Sequence, residues 1–99
     1  MLDYHPNNKT RSIIGLSIKE SLLKLGPEEL EIVVKRLESN FQCYLFDTLD
    51  NPIYLKQVLH YLYPNEFFKV LNLLEKELEG FSNDSSIKYF IRYMKEPIS

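Results

Sequence analysis

This chain has very little of the chemistry from which active sites and metal centres are usually built. Its 99 residues include one cysteine, two histidines, no tryptophan and only three glycines. A lone cysteine, Cys43, cannot form an intramolecular disulfide, which is typical of a protein from a reducing compartment. The glycines at positions 15, 26 and 80 are too far apart for a phosphate-binding loop. So few glycines also argue against a protein built of sheets and turns.

Long apolar runs and an excess of positive charge are also missing. No apolar run approaches the roughly 20 residues that a membrane-spanning helix needs, and nothing at the amino terminus resembles a signal peptide. We therefore expect a cytoplasmic protein that does not use a membrane. The net charge is −2 and the isoelectric point is about 5.7. Nucleic-acid-binding domains are usually basic, so this balance makes a nucleic acid a less favoured partner than a protein.

The chain does contain a series of apolar stripes with helical spacing, separated by helix start and stop signals. Five such stripes predict an all-α fold, a compact bundle of about five short helices. The stripes consist of Ile14, Ile18, Leu22 and Leu25; Leu30, Val33, Val34, Leu37 and Phe41; Leu55, Val58, Leu59 and Leu62; Phe67, Leu71, Leu74 and Leu78; and Ile87, Phe90, Ile91 and Met94. We interpret residues 1–12 as a flexible arm and residues 13–99 as a single helical domain.

The first two helices have clear boundary signals. The first helix is expected from Ser12 to Leu25, with a later start at Ser17 as the alternative, because Ser17 and Glu20 match the capping-box pattern. Gly26 is expected to end it in the left-handed conformation. Pro27 suits the first position of the second helix.

The remaining boundaries rest on proline, glycine and turn residues. Residues 42–51 predict an extended connector that is anchored to the core through Leu45 or Phe46. Asn51 and Pro52 predict the cap and first turn of the third helix, and Tyr63-Pro64 predicts its end. A fourth helix is expected from about residue 65 to residue 80. The turn residues 82–86 offer several caps for a fifth helix, which ends before residue 97.

The segment from residue 17 to about residue 79 resembles a family of small archaeal helical domains, the Nitrosopumilus output domain. The likeness rests on residues 18–22, on Leu25-Gly26-Pro27 and on the apolar helix that ends in Leu37-Glu38. It also includes the acidic pair Asp47 and Asp50, and Asn51-Pro52 leading into Leu55 and Leu59. Where family members carry a glycine-rich joint after the third helix, this chain has Tyr63-Pro64-Asn65. The resemblance implies a signalling or interaction role in an archaeal cell, and it transfers no catalytic residues.

The reactive residue types do not form a recognisable catalytic or metal-binding pattern. His5 lies in the predicted arm, and His60 is expected to face solvent, because a helical wheel points it away from the apolar stripe of its helix. Cys43 is interpreted as a small buried hydrophobic residue. Asp47 and Asp50 are interpreted as capping or turn residues, with a cation or a partner's basic groups as the alternative. The sequence therefore predicts no catalytic residue, no cofactor and no metal ion. A ligand pocket near Cys43, Tyr44 and His60 is the least favoured hypothesis.

Two tyrosine pairs flank apolar stripes and are candidates for an interface. Tyr54 and Tyr61 are seven residues apart on the third helix, and Tyr89 and Tyr93 lie beside the stripe of the last helix. One interpretation places all four at the boundary of the core, with each hydroxyl in water. The other places them in a self-association or partner surface, because tyrosine is enriched at interfaces. A homodimer is the simplest closed assembly.

Lys88, Arg92 and Lys95 form a basic stripe on the last helix. Glu75, Glu77 and Glu79 crowd the end of the preceding helix, where the helix dipole disfavours acids. The plainer interpretation is that these groups neutralise one another or are solvated, and the alternative is a docking face for DNA. Together these patterns predict a non-enzymatic protein-interaction or signalling module. The alternative is a small nucleic-acid-associated regulator that uses the basic last helix.

Overall fold

Each of the five apolar stripes lies on its own α-helix in a computed structural model, which describes residues 8–97. The helices are α1 (Asn8–Leu25), α2 (Pro27–Phe41), α3 (Pro52–Leu62), α4 (Phe67–Glu77) and α5 (Ser85–Lys95). Single 3₁₀ turns lie at Leu45–Asp47 and Glu79–Phe81. Residues 8–97 contain no β-strand. The predicted all-α bundle of about five short helices is therefore confirmed.

The core forms where the apolar faces of the helices meet around α1. This helix packs against α2, α4, α5 and the first 3₁₀ turn, while α3 contacts both α2 and α5. The radius of gyration is 12.8 Å, close to the roughly 13 Å expected for a folded chain of 100 residues. No helix in the described part of the chain is both long and apolar enough to cross a membrane. Fully buried side chains come from all five helices and include Ile14, Leu37, Leu55, Leu74 and Phe90.

The first helix begins earlier than the sequence predicts. Residues 8–12, assigned to the flexible arm, form the start of α1, because tertiary contacts hold them there. The Thr10 hydroxyl donates to the Asp84 carboxylate over 3.3 Å, and Arg11 forms an ion pair with Asp50. The predicted capping box is wrong, since Ser17 is buried within α1 and its carbonyl accepts a hydrogen bond from the Ser21 hydroxyl. Residues 1–7, including His5, lie outside the described residues.

The junction between α1 and α2 uses Gly26 as predicted, but in a different conformation. Gly26 has φ 158° and ψ 147° instead of the left-handed helical values that we expected. This region of backbone space is open almost only to glycine. The chain therefore turns from α1 into α2 through one residue, and Pro27 opens α2 as predicted.

Less of the connector between α2 and α3 is extended than predicted, and more of it packs against the core. A 3₁₀ turn occupies its centre, Leu45 packs against the core, and Phe46 remains 45% exposed. Thr48 and Leu49, which the sequence analysis did not assign to the core, are buried. Asn51 is the N-cap residue of α3 and Pro52 opens the helix, as predicted, although the Asn51 side chain makes no capping hydrogen bond.

The last two helices lie close to their predicted positions. The fourth helix is narrower than the predicted range of residues 65–80, because a separate 3₁₀ turn holds Gly80. Among the turn residues, Asp84 is the cap of α5. Its carboxylate accepts hydrogen bonds from the backbone N–H of Ser86 and of Ile87. The predicted end of α3 before Pro64 is confirmed.

Candidate functional site

The tyrosine pair of α3 lies along the contact between α2 and α3. The Tyr54 ring stacks on Phe41 with the ring centres 4.5 Å apart and the planes at 9°. The guanidinium carbon of Arg36 lies 4.7 Å from the centre of the Tyr61 ring. Tyr54 is half-buried and packs against the core, whereas Tyr61 is 69% exposed. Tyr54 is therefore a core-boundary residue, and Tyr61 presents most of its surface to solvent.

An open depression lies at these contacts and a second adjoins it on the exposed face of α2, and we refer to the two together as the α2–α3 groove. It consists of two depressions with volumes of about 320 Å³ and about 400 Å³. Both depressions are lined by Arg36 and Asn40, which therefore form the centre of the groove. The first is also lined by Phe41, Gln57, Val58 and Tyr61, and the second by Ile32, Lys35 and Ser39.

The tyrosine pair of α5 forms a separate surface. The Tyr89 and Tyr93 rings stack with their centres 6.5 Å apart, Tyr89 is 63% exposed and Tyr93 packs against the core. Lys56 of α3 contacts Tyr93, and it follows Tyr54 by two residues, about 160° around the helix. The two tyrosine pairs thus border different flanks of α3. Whether either pair forms an interface stays a prediction.

The basic stripe of α5 is partly neutralised. Lys95 pairs with Glu75 over 2.8 Å, as the plainer interpretation predicted. Glu77 pairs with Lys24 of α1 instead of with α5. Lys88 and Arg92 are exposed and make no ion pair with any residue in the range 8–97. The cationic surface that remains on α5 is therefore limited to these two side chains.

His60 does not face solvent freely, contrary to the sequence prediction. Its imidazole stacks on the Phe67 ring with the centres 3.6 Å apart and the planes at 20°. The pKa of His60 is lowered, first by burial and then by the positive charge of Lys56. The helical wheel pointed His60 away from the apolar stripe of α3, but the first residue of α4 stacks on its ring. This neighbour comes from tertiary packing, which the helical period does not reveal.

The residues of the hypothetical ligand pocket have different neighbours. Cys43 is buried as predicted, and its thiol lies 3.5 Å from the carbonyl of Tyr44. Burial raises the pKa of the Cys43 thiol, with a smaller contribution from Asp47 and then Asp50. Tyr44 is 60% exposed, while His60 packs on α4. The carboxylate of Asp50 accepts two hydrogen bonds from Arg11, at 2.8 and 3.3 Å, so it anchors α1.

Two polar contacts were missed by sequence reasoning. Lys56 is only 2% exposed, and its ammonium group donates to the backbone carbonyl of Tyr93 over 2.7 Å. The Tyr63 hydroxyl donates to the Glu29 carboxylate over 2.6 Å. Burial and this hydrogen bond raise the pKa of Tyr63. Neither pair has a local sequence signal, because the partners are 37 and 34 residues apart.

No family model, curated protein or solved structure gives a significant match to this chain. Among residues 8–97, no group of three or more histidine, cysteine, aspartate or glutamate side chains is placed to hold a metal ion. The surfaces that the geometry offers are therefore the α2–α3 groove and the exposed part of α5.

Proposed function

We propose that this chain is a non-enzymatic protein-interaction or signalling output module that acts through self-association or a protein partner. The observation that carries the proposal is the exposed Tyr61 ring, stacked against Arg36 at the edge of an open groove. Tyrosine and arginine are the residue types most enriched among those that dominate binding energy at interfaces. An amphipathic ring that the core does not cover is suited to contact a second protein.

The roles of the chemically reactive side chains support this proposal. The thiol of Cys43 is buried and its pKa is raised, which disfavours the nucleophilic thiolate. His60 is stacked on Phe67, and Lys56 and Tyr63 hold backbone and carboxylate oxygens of neighbouring helices. Each of these groups thus has a packing role within the bundle.

The resemblance to the Nitrosopumilus output domain family supports the same role. It implies an archaeal source and a place in a signalling system, and we include both in the proposal together with a cytoplasmic location. The domain would then transmit a signal by changing which protein surface it contacts.

The proposal is tested by measuring solution mass by light scattering over a range of concentrations, together with binding to candidate signalling proteins from the same organism. We expect a dimer or a complex that Tyr61→Ser weakens. Tyr44→Ser is the matched control, because Tyr44 is similarly exposed but lies on the connector before α3. A strict monomer that binds no protein through a Tyr61-dependent contact would refute the proposal.

A second candidate function, a nucleic-acid-associated regulator, is favoured by the two unpaired cations of α5. Lys88 and Arg92 are one helical turn apart, and Tyr89 between them is exposed. Two or three cations give modest, salt-sensitive affinity for a polyanion. Binding of mixed-sequence DNA at low salt that disappears in a Lys88→Ala/Arg92→Ala variant would support this function. Unchanged binding in that variant would reject it.

A further inference from the structure

We propose that the α2–α3 groove binds a short acidic segment of a protein partner, with a carboxylate on Arg36 and an apolar side chain two residues along the segment near Ile32. This inference rests on the proposed function and specifies the chemistry of the partner. It concerns a different surface from the cationic part of α5, so the two can be tested separately.

Arg36 has donors available for a carboxylate. Its guanidinium carbon lies 4.7 Å from the centre of the Tyr61 ring, so the ring holds the charged group at the edge of the groove. An arginine carries five N–H donors along its edges, and none of those of Arg36 has a hydrogen-bond acceptor among residues 8–97. A planar group with free edge donors matches the two oxygens of a carboxylate.

The lining of the groove has an excess of positive charge that the rest of the chain does not share. Among residues 8–97 it includes Lys35 and Arg36 and not one carboxylate, although acids outnumber bases in the whole sequence, 14 to 12. Neither cation forms an ion pair in the described part of the chain. Of the acids on α2, Glu29 is occupied by the Tyr63 hydroxyl. The groove is therefore complementary to negative charge.

The other lining residues favour a peptide over a nucleic acid. Ile32 is 42% exposed, and the half-buried Phe41 ring supplies apolar surface in the first depression. The amides of Asn40 and Gln57 can donate to and accept from a peptide backbone. A nucleic acid would gain little from two cations.

The dimensions of the groove limit the length of the segment. From Ile32 to Phe41 the helix rises roughly 13 Å. An extended peptide advances about 3.3 Å per residue, so about four residues span this length. Because alternate side chains of an extended peptide point the same way, a carboxylate and an apolar side chain two residues apart would both face the groove. The rise of roughly 6 Å from Ile32 to Arg36 along the helix matches that spacing.

The test uses a synthetic peptide of matching chemistry and the full chain. The probe is acetyl-Gly-Asp-Gly-Leu-Gly-Glu-Gly-amide, whose acidic and apolar side chains fall on one side of the extended chain, with an Asn/Gln version and a Lys/Lys version as controls. Binding is followed by two-dimensional NMR of the ¹⁵N-labelled chain at low and high salt. Of the three peptides, we expect only the acidic one to shift the amide signals of α2 and α3 around Arg36 and Tyr61. Added salt should weaken this binding.

Charge-reversal variants decide whether the contact is specific. In Lys35→Glu/Arg36→Glu we expect at least about tenfold weaker binding of the acidic peptide and new binding of the lysine peptide. The matched control is Lys19→Glu/Lys69→Glu, which reverses two exposed lysines on α1 and α4 and should leave binding unchanged. Spectra of the free variants establish that each is folded.

Three outcomes would overturn the inference. They are no shift with the acidic peptide, equal binding of the neutral peptide, or shifts centred on Lys88 and Arg92. If light scattering still shows Tyr61-dependent assembly, an interaction module remains and only the acidic partner is rejected. If no Tyr61-dependent assembly is found either, the proposed function fails together with the inference.

Discussion

The ammonium group of Lys56 lies 4.5 Å from the centre of the Tyr93 ring and donates a hydrogen bond of 2.7 Å to the backbone carbonyl of the same residue. This carbonyl lies in the last turn of α5, where carbonyls lack partners within the helix, and it also accepts the backbone N–H of the cap residue Glu96 over 3.2 Å. Lys56 therefore caps the carboxyl end of α5 from within α3. Burial lowers the pKa of Lys56, while the nearby Glu96 opposes that change.

Lys56→Met is expected to lower the free energy of unfolding by about 1–2 kcal/mol. The variant loses a charge-assisted hydrogen bond, and the removal of a buried charge offsets part of the loss. Urea unfolding measures the effect, and hydrogen exchange should show faster opening of the last turn of α5. Lys69→Met, which changes an exposed lysine on α4, serves as the control. A variant as stable as the parent, with unchanged exchange in α5, would show that Lys56 does not hold this end.

Asp84→Ala should cost about 1 kcal/mol of stability, because it removes the cap of α5. The Asp84 carboxylate accepts from the backbone N–H of Ser86 and Ile87 at 2.8 and 3.2 Å, and it also accepts the hydrogen bond from Thr10. Asp84→Asn keeps a side-chain oxygen at this position and should retain most of the stability. Thermal unfolding of the two variants distinguishes the cap from nonspecific effects. Equal losses in both would argue against the capping role.

The helix positions could be predicted from the sequence because period and boundary residues are local signals. The stripe Leu55, Val58, Leu59 and Leu62 is an example, since Pro52 and Pro64 bound it and the structure follows both. The start of α1 could not be predicted, because residues 8–12 lack an apolar stripe and depend on partners more than 35 residues away.

The α2–α3 groove could likewise be predicted only in part from the sequence. Tyr61 was a candidate because it flanks an apolar stripe, whereas Arg36 was not among the candidate residues. Which polar residue of α2 meets which tyrosine depends on how α2 and α3 pack together. Helix caps fix where helices end, and they carry no information on that register.

Gly15→Ala is expected to destabilise the chain, although alanine is the better helix former by about 1 kcal/mol. A methyl group at position 15 would lie 2.5 Å from the Phe46 ring, so the connector would have to shift. Phe46→Ala removes the clash, and in that background we expect Gly15→Ala to become stabilising. A double-mutant cycle by urea unfolding measures this change of sign. The same effect of Gly15→Ala in both backgrounds would contradict the close approach.

His60 should make stability depend on pH between about 7 and 5. Its pKa is lowered in the folded state by burial against Phe67 and by Lys56, whereas in the unfolded chain it takes up a proton near pH 6.5. The unfolded state therefore binds more protons in this window, and the free energy of unfolding falls as the pH falls. Aspartate and glutamate in unfolded chains titrate mostly below this window.

The His60→Phe variant tests the origin of this slope, because it keeps a ring on Phe67 but cannot be protonated. We expect its urea midpoint to change less between pH 7 and pH 5 than that of the parent chain. His5→Gln removes the other histidine and should keep the parental slope. NMR titration of the parent should give His60 a pKa below 6.5. An unchanged slope in His60→Phe would place the pH dependence elsewhere, and a normal pKa for His60 would mean that its stack on Phe67 opens to water.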